Sequence, residues 1–253
     1  MTTAPQPVCL VTNATGFAGP PAVDALAAAG YRVLAHDRSF GDAAARARFA
    51  ADHPGAECLA AASPADGVAD AVGLAGRLDT LVSNDHHPAR QLATVEAPLE
   101  ELTDSLNRLV VDPFAAIRAA IPHLQAAEAG TIVMVTSNRT RLPLPGGAIP
   151  DACRAAVNAL VRSLAIELAP LHIPVNAVAP NFLYSEAYYP RAVFIDDPKG
   201  REHVKQVVPA GRLAEPWEIG DVIRFLATTK ASFLTGAIID FSGGWPAGPM
   251  RPE

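Results

Sequence analysis

Short apolar runs alternate with segments of helical spacing along almost the whole chain. "PVCLVTN" reads as a strand, and "PPAVDALAAAGYR" follows it with apolar residues three and four apart and a stop at Gly30. "RVLAHD", ending in Asp37, "AECLAA", "LDTLVSND", "GTIVMVTS", "IPVNAVAPN" and "GAIIDFSGG" supply six more strands. Between them lie helical segments: "GDAAARARFAADH", "PADGVADAVGLAG", a long stretch over 98–127 bent near Pro113, "PDACRAAVNALVRSLAIELAP" and "EPWEIGDVIRFLATT". Strict alternation of this kind predicts an α/β fold, a doubly wound parallel sheet with helices on both faces. At 253 residues, with no linker, repeat or low-complexity tract, residues 1–253 form a single domain. In open parallel sheets ligands bind beyond the carboxyl ends of the strands, which is where Phe17, Asp37, Asn84, Ser137 and Asn181 fall.

A net charge of −6 argues against a nucleic-acid or anionic-membrane partner. No apolar run is long enough to cross a bilayer. The segment "MTTAPQPVCLVTN" lacks a basic stretch before its apolar run, so no signal peptide is expected. Cys9, Cys58 and Cys153 are odd in number and lack metal-ligand spacing. They read as reduced thiols of a cytoplasmic protein without a metal site.

A turn that binds a dinucleotide needs bare backbone after the first strand. Here the turn reads "TNATGFAGPP", with only Gly16 and Gly19. Phe17 projects a ring where a diphosphate would lie, and Pro20 and Pro21 have no N–H to offer it. Asp37 stands where a ribose-binding acid would stand, yet no nicotinamide cofactor is expected behind a blocked turn.

Thr12, Phe17 and Gly19, with "SNDHHPAR" from Ser83, "APNFL" from Ala179 and "DFSGGWP" near the C-terminus, carry a resemblance. The chain resembles the halohydrin (haloalcohol) dehalogenases, an offshoot of the short-chain dehydrogenase/reductase superfamily with a Rossmann-like fold. The resemblance implies a cofactor-independent lyase that interconverts vicinal haloalcohols with epoxides and halide ion, and a homo-oligomer, dimer or tetramer. It implies a seam built on the helix holding Val157, Leu160, Val161 and Leu164, and a tail around Trp245 that approaches a neighbouring subunit. The family's spacing of Ser, Tyr and Arg falls on Ser137, Pro150 and Arg154. Ser137 would then hold the substrate oxygen as it gains charge, Arg154 would lower the pKa of the base by proximity, and Asp85 would pair with Arg154. Phe17, Pro180, Asn181, Phe182, Leu183 and Tyr189 would wrap the halide, with backbone N–H groups of 181–183 as donors.

Pro150 cannot move a proton. His86 is slightly favoured as a substitute base, because imidazole titrates in the useful range. His87, Asp151 and the phenols of Tyr184, Tyr188 and Tyr189 are the alternatives. Arg139 and Arg141 flank the strand exit on the substrate side and could select an anionic substrate, although arginines so placed are more often solvated. Two other functions remain open: a small-ligand-binding protein that has lost catalysis, and an NAD(P)-dependent short-chain reductase.

Overall fold

The structure, a computed structural model, describes residues 5–88 and 90–248. Seven strands form one parallel sheet: β1 (Val8–Val11), β2 (Arg32–His36), β3 (Ala56–Leu59), β4 (Thr80–Asn84), β5 (Thr131–Val135), β6 (Val175–Pro180) and β7 (Ile238–Phe241). Their spatial order is β3-β2-β1-β4-β5-β6-β7. The order reverses at β1, so the ends of β1 and β4 flank the crevice where such sheets bind ligands. Leu10 lies opposite Leu34 on one side and Leu81 on the other, and Asn84 lies opposite Val135. Strands covered on both faces read as unbroken apolar runs, which is why "TIVMV" and "VCLV" show no alternation.

The helices are α1 (Gly19–Ala28), α2 (Ala43–Asp52), α3 (Pro64–Ala75), α4 (Leu99–Leu106), α5 (Asp112–Ala126), α6 (Ala148–Leu168), α7 (Pro198–Val207) and α8 (Pro216–Thr228). α1 stops as expected at Gly30. Its φ is +86°, and the N–H groups of Gly30 and Tyr31 return to the carbonyls of Ala27 and Leu26. Leu10, Leu81, Ile117 and Met134 anchor the core on one face of the sheet, and Val23, Leu26, Phe40 and Ile223 the core on the other. Each fully buried side chain of this size contributes about 1.5–3 kcal/mol. A third, smaller cluster of Phe182, Val204, Val208 and Leu213 lies outside the sheet, in the chain that follows β6.

Three expectations change. The long helical stretch is broken into α4 and α5 by a π-helical turn over Asn107–Val111. The turn ends just before Pro113, which has no N–H to continue an i→i−4 ladder. α7 was not expected at all. Val157, Val161 and Leu164 are buried in the chain's own core, because α6 lays that face on the sheet. A seam on α6 would therefore use its outward face, which carries Ile166, rather than these residues. Among the described residues no helix is long and apolar enough to cross a membrane. The cysteines are unpaired, with Cys9 and Cys153 buried.

Candidate active site

The turn after β1 is held from within. The Asn84 side-chain amide donates to the carbonyls of Asn13 (2.8 Å) and Gly16 (2.9 Å), and the Asn84 N–H donates to Thr12 Oγ1 at 3.2 Å. Thr12 is thus a buried tie between β1 and β4. Phe17 adopts φ +53°, a left-handed conformation unusual for a bulky residue. That twist carries its ring over the crevice, 5.0 Å from the ring of Tyr188 and 6.1 Å from that of His86.

The short-chain fold implies a nicotinamide dinucleotide in this crevice, and the residues present do not fit its diphosphate. At the start of α1 the Gly19 N–H donates to Gly16, Pro20 and Pro21 have no N–H, and the Ala22 N–H is already in the helix ladder. The first turn therefore offers an anion no free donor. The face of Gly16 is covered by His86, whose Nε2 would lie 2.5 Å from a Cβ there. Asp37 is also spent. Its carboxylate accepts from the N–H and hydroxyl of Thr15 (3.1 and 2.7 Å) and from those of Ser39 (2.9 and 2.7 Å). Burial pushes that carboxyl up, but the hydrogen bonds outweigh it and hold the group below its usual range. The ribose role considered for Asp37 has no oxygen left to serve it.

A cavity of about 610 Å³ opens beside this crevice, beyond the ends of β5 and β6. Ser137 and Arg154 line it, and so do Phe17, Pro180, Asn181, Phe182, Leu183 and Tyr189. Residues from five separate stretches of chain are thereby brought around one space. Ser137 follows β5. Its hydroxyl lies 3.4 Å from the Pro180 carbonyl and accepts the Arg139 N–H at 3.2 Å. Arg154 is buried on the first turns of α6, and one Nη donates to the backbone carbonyl of Asp85 at 2.9 Å. Its other Nη donates to the hydroxyl of Tyr188 at 3.4 Å.

Asp85 and His86 do not line the cavity. The expected pairing of the Asp85 carboxylate with Arg154 is replaced by the main-chain contact. The carboxyl instead takes the Ser83 hydroxyl at 2.7 Å, and its second oxygen has no partner among the described residues. Burial drives it up to about 7, against the Ser83 hydrogen bond and the nearby Arg154 charge. His86 sits between Gly16 and Phe17, where burial lowers its affinity for a proton. Pro150 lines the cavity one helical turn before Arg154.

Asp151 and Arg139 form an ion pair, as do Arg141 and Asp240, so neither arginine is a free cation for an anionic substrate. The Tyr184 hydroxyl donates to Glu186 at 2.6 Å, and that bond raises its pKa. The Tyr189 hydroxyl donates to the Asn181 side chain, and burial raises it to about 12.

In the loop after β6, Phe182 has φ +55°. The Asn181 N–H donates to Phe241 and the Phe182 N–H to the Asn181 side chain, each at 3.0 Å. Of the three main-chain donors expected at 181–183, only that of Leu183 has no acceptor among the described residues. Sequence reasoning missed the outer wall, made by Leu142, Leu144, Phe194, Val207 and Trp245. Trp245 packs against Phe182 at 5.8 Å and its carbonyl takes the Ser242 hydroxyl, so within this chain it is a wall of the cavity.

The described arrangement can bind a small oxygenated molecule with a hydroxyl and a guanidinium at its polar end and rings elsewhere. Known proteins of this shape fall into two groups. A solved dehalogenation enzyme is 36% identical, with a TM-score of 0.90 over 95% of this chain and 98% of its own. A halohydrin dehalogenase solved with ethyl (2S)-oxiran-2-ylacetate is 28% identical, with a TM-score of 0.92 over 97% and 100%. An uncharacterized oxidoreductase of Bacillus subtilis is 30% identical over 93% of this chain and 97% of its own length. A family model described as enoyl-(acyl carrier protein) reductase matches residues 14–246. With that match across nearly its whole length, the chain belongs to the short-chain dehydrogenase/reductase superfamily.

Proposed function

We propose that this protein is a cofactor-independent lyase that interconverts vicinal haloalcohols with epoxides and halide. The observation that carries the reading is the filled crevice. Phe17, His86 and two prolines crowd the turn after β1, where a dinucleotide's diphosphate would need bare backbone and free N–H groups, and the cavity beside them holds a hydroxyl and a buried guanidinium. A dehydrogenase needs the first region empty; ring closure of a haloalcohol involves no redox change and needs only the second.

Ser137 would hydrogen-bond the substrate hydroxyl, and Arg154 would stabilise negative charge as it grows on that oxygen. The oxygen attacks the neighbouring carbon, and the carbon–halogen bond breaks as the epoxide closes. The departing halide meets the Leu183 N–H and the walls of Phe17, Pro180, Phe182 and Tyr189, with Asn181 holding Tyr189 in place. A large anion suits one weak donor and ring edges, because a full positive charge would hold the product. The likeness to two dehalogenases at 36% and 28% identity supports the reading.

The second reading, an NAD(P)-dependent reductase, draws on the family model and on the oxidoreductase relatives. One pair of measurements separates them. Halide release with epoxide formation from a panel of haloalcohols, together with flat calorimetric titrations with NADH and NADPH, is the expected result. Tight dinucleotide binding with no halide release on any substrate would overturn the lyase. A solution partner is then a small haloalcohol or epoxide, and a third function, ligand binding without turnover, would be left if both measurements were negative.

A further inference from the structure

Pro150 leaves the site without a side chain that accepts a proton where the family's tyrosine stands. We infer that the Tyr188 phenol, delivered from the loop after β6, is the proton acceptor of this site. The inference rests on the lyase reading.

Four observations converge on this residue. Its hydroxyl is the side-chain partner of Arg154, 3.4 Å from Nη2. Such bonds in an empty site are often long and tighten around substrate. Its ring is packed at 5.0 Å and 58° on Phe17, the residue whose left-handed backbone directs it over the crevice. It lines the same cavity as Ser137 and Pro150. The competing groups are engaged elsewhere: Tyr189 donates to Asn181, Tyr184 to Glu186, Asp151 is paired with Arg139, and His86 lies behind Phe17. His87 does line the cavity, but among the described residues Arg154 hydrogen-bonds to the Asp85 carbonyl and the Tyr188 hydroxyl and not to it. Phe17 thus acts twice, excluding the nucleotide and bracing the phenol that replaces the lost one.

In the step, the Tyr188 oxygen, having given its own proton to solvent, takes the proton of the substrate hydroxyl. The substrate oxygen bonds to the neighbouring carbon, and the halide departs with the electron pair of the broken bond. The proton then passes from Tyr188 to water. Nothing is oxidised or reduced.

The test compares wild type, Tyr188→Phe and His87→Ala in halide release, with bromide binding measured by quenching of intrinsic fluorescence. Tyr188→Phe keeps the ring that packs on Phe17 and removes only the oxygen. Its kcat should fall ~10²–10⁴-fold, the usual cost of a lost general base, with bromide binding retained. If Tyr188→Phe stays within about threefold of wild type, or if only His87→Ala loses this much, the assignment to Tyr188 is wrong while the lyase reading stands.

A second arm does not depend on turnover. Nitration by tetranitromethane, mapped by mass spectrometry, should label Tyr188 well ahead of Tyr189, and Arg154→Lys and Arg154→Met should slow that labelling severalfold. If wild type releases no halide from any substrate, the lyase reading fails and the assignment of Tyr188, which rests on it, fails with it. Labelling of Tyr188 that is indifferent to Arg154 overturns the inference.

Discussion

Pro150 sits in the first turn of α6, where a backbone N–H would have no partner inside the helix, so proline costs the helix little there. The same logic makes the reverse change safe. Pro150→Tyr places a phenol one turn before Arg154, on a helix that already tolerates the position. We expect the variant to fold with an unchanged circular dichroism spectrum and to release halide at least ~10-fold faster than wild type, within the range a well-placed base supplies. A rate equal to wild type would mean that a phenol at position 150 adds nothing to the proton acceptor the site already has. Asp85 makes a different prediction. Its folded carboxyl is raised to about 7 by burial, whereas an unfolded one titrates near ~3.9. Between those values the folded chain holds a proton that the unfolded chain has lost, so this group makes stability fall as pH rises through that window and adds no further slope above it. Asp85→Asn removes the slope. Relative to wild type, the variant should gain on the order of a few kcal/mol between pH 4 and pH 8 in urea unfolding. A constant difference across that range would mean that the carboxyl ionises normally.

The turn between β1 and α1 shows what a sequence reveals about an element. A Cβ on Gly19 would lie 2.5 Å from the Ala14 carbonyl oxygen, a backbone atom that cannot step aside. Gly19→Ala should therefore cost about 1–3 kcal/mol, the usual penalty of overpacking, read as a lower urea midpoint with an unchanged slope. Thr12, Phe17 and Gly19 were legible together through the resemblance they carry, and the structure gives each a local reason: a tie to β4, a ring over the crevice, a close approach. Ser137 and Arg154 were legible in the same way, from the spacing of the family the chain resembles, and the strand end and the next helix bring them to one cavity. α7 was not legible by apolar spacing, as "PKGREHVKQV" buries only Val204. The usable signal was Asp197 before Pro198, a capping acid followed by a residue suited to the first helical position, and the Asp197 carboxylate does accept the Lys199 N–H at 2.9 Å. The contact of Tyr188 with Arg154 spans 34 residues and depends on how a loop folds over a sheet. No periodicity encodes that, which is why the sequence favoured a histidine slightly over the three tyrosines and left Asp151 beside them. Asp85 misled for a subtler reason: its neighbourhood with Arg154 is real, but the main-chain carbonyl makes the bond and the carboxylate turns inward to Ser83.

At the scale of the whole molecule, the sheet and its two faces form a scaffold that the chain shares with its superfamily, and the chain after β6 folds over it to close the cavity. That segment holds the third apolar cluster, and with it one wall of the cavity. The scaffold's outer surface still carries large apolar groups that the single chain leaves in water. Ile166 on α6 is 79% exposed, and Val111 and Phe114 at the neighbouring π-turn and α5 are 53% and 45% exposed. Trp217 and Phe225 on α8 and the fully exposed Phe233 beyond it are left in water as well. Scattered apolar residues are ordinary on a monomer, but two groups of long side chains on separate helices are what the faces of an isologous assembly present. We expect sedimentation velocity to give a dimer or tetramer. The group on α6 should act independently of the group on α8, because the two helices pack against opposite faces of the sheet. Ile166→Glu would then yield one smaller species and Phe225→Glu another, with the double variant monomeric and each still folded by circular dichroism. The cavity is lined within one chain, so the monomeric double variant should keep its halide site. A wild type that sediments as a monomer at every concentration would remove the assembly.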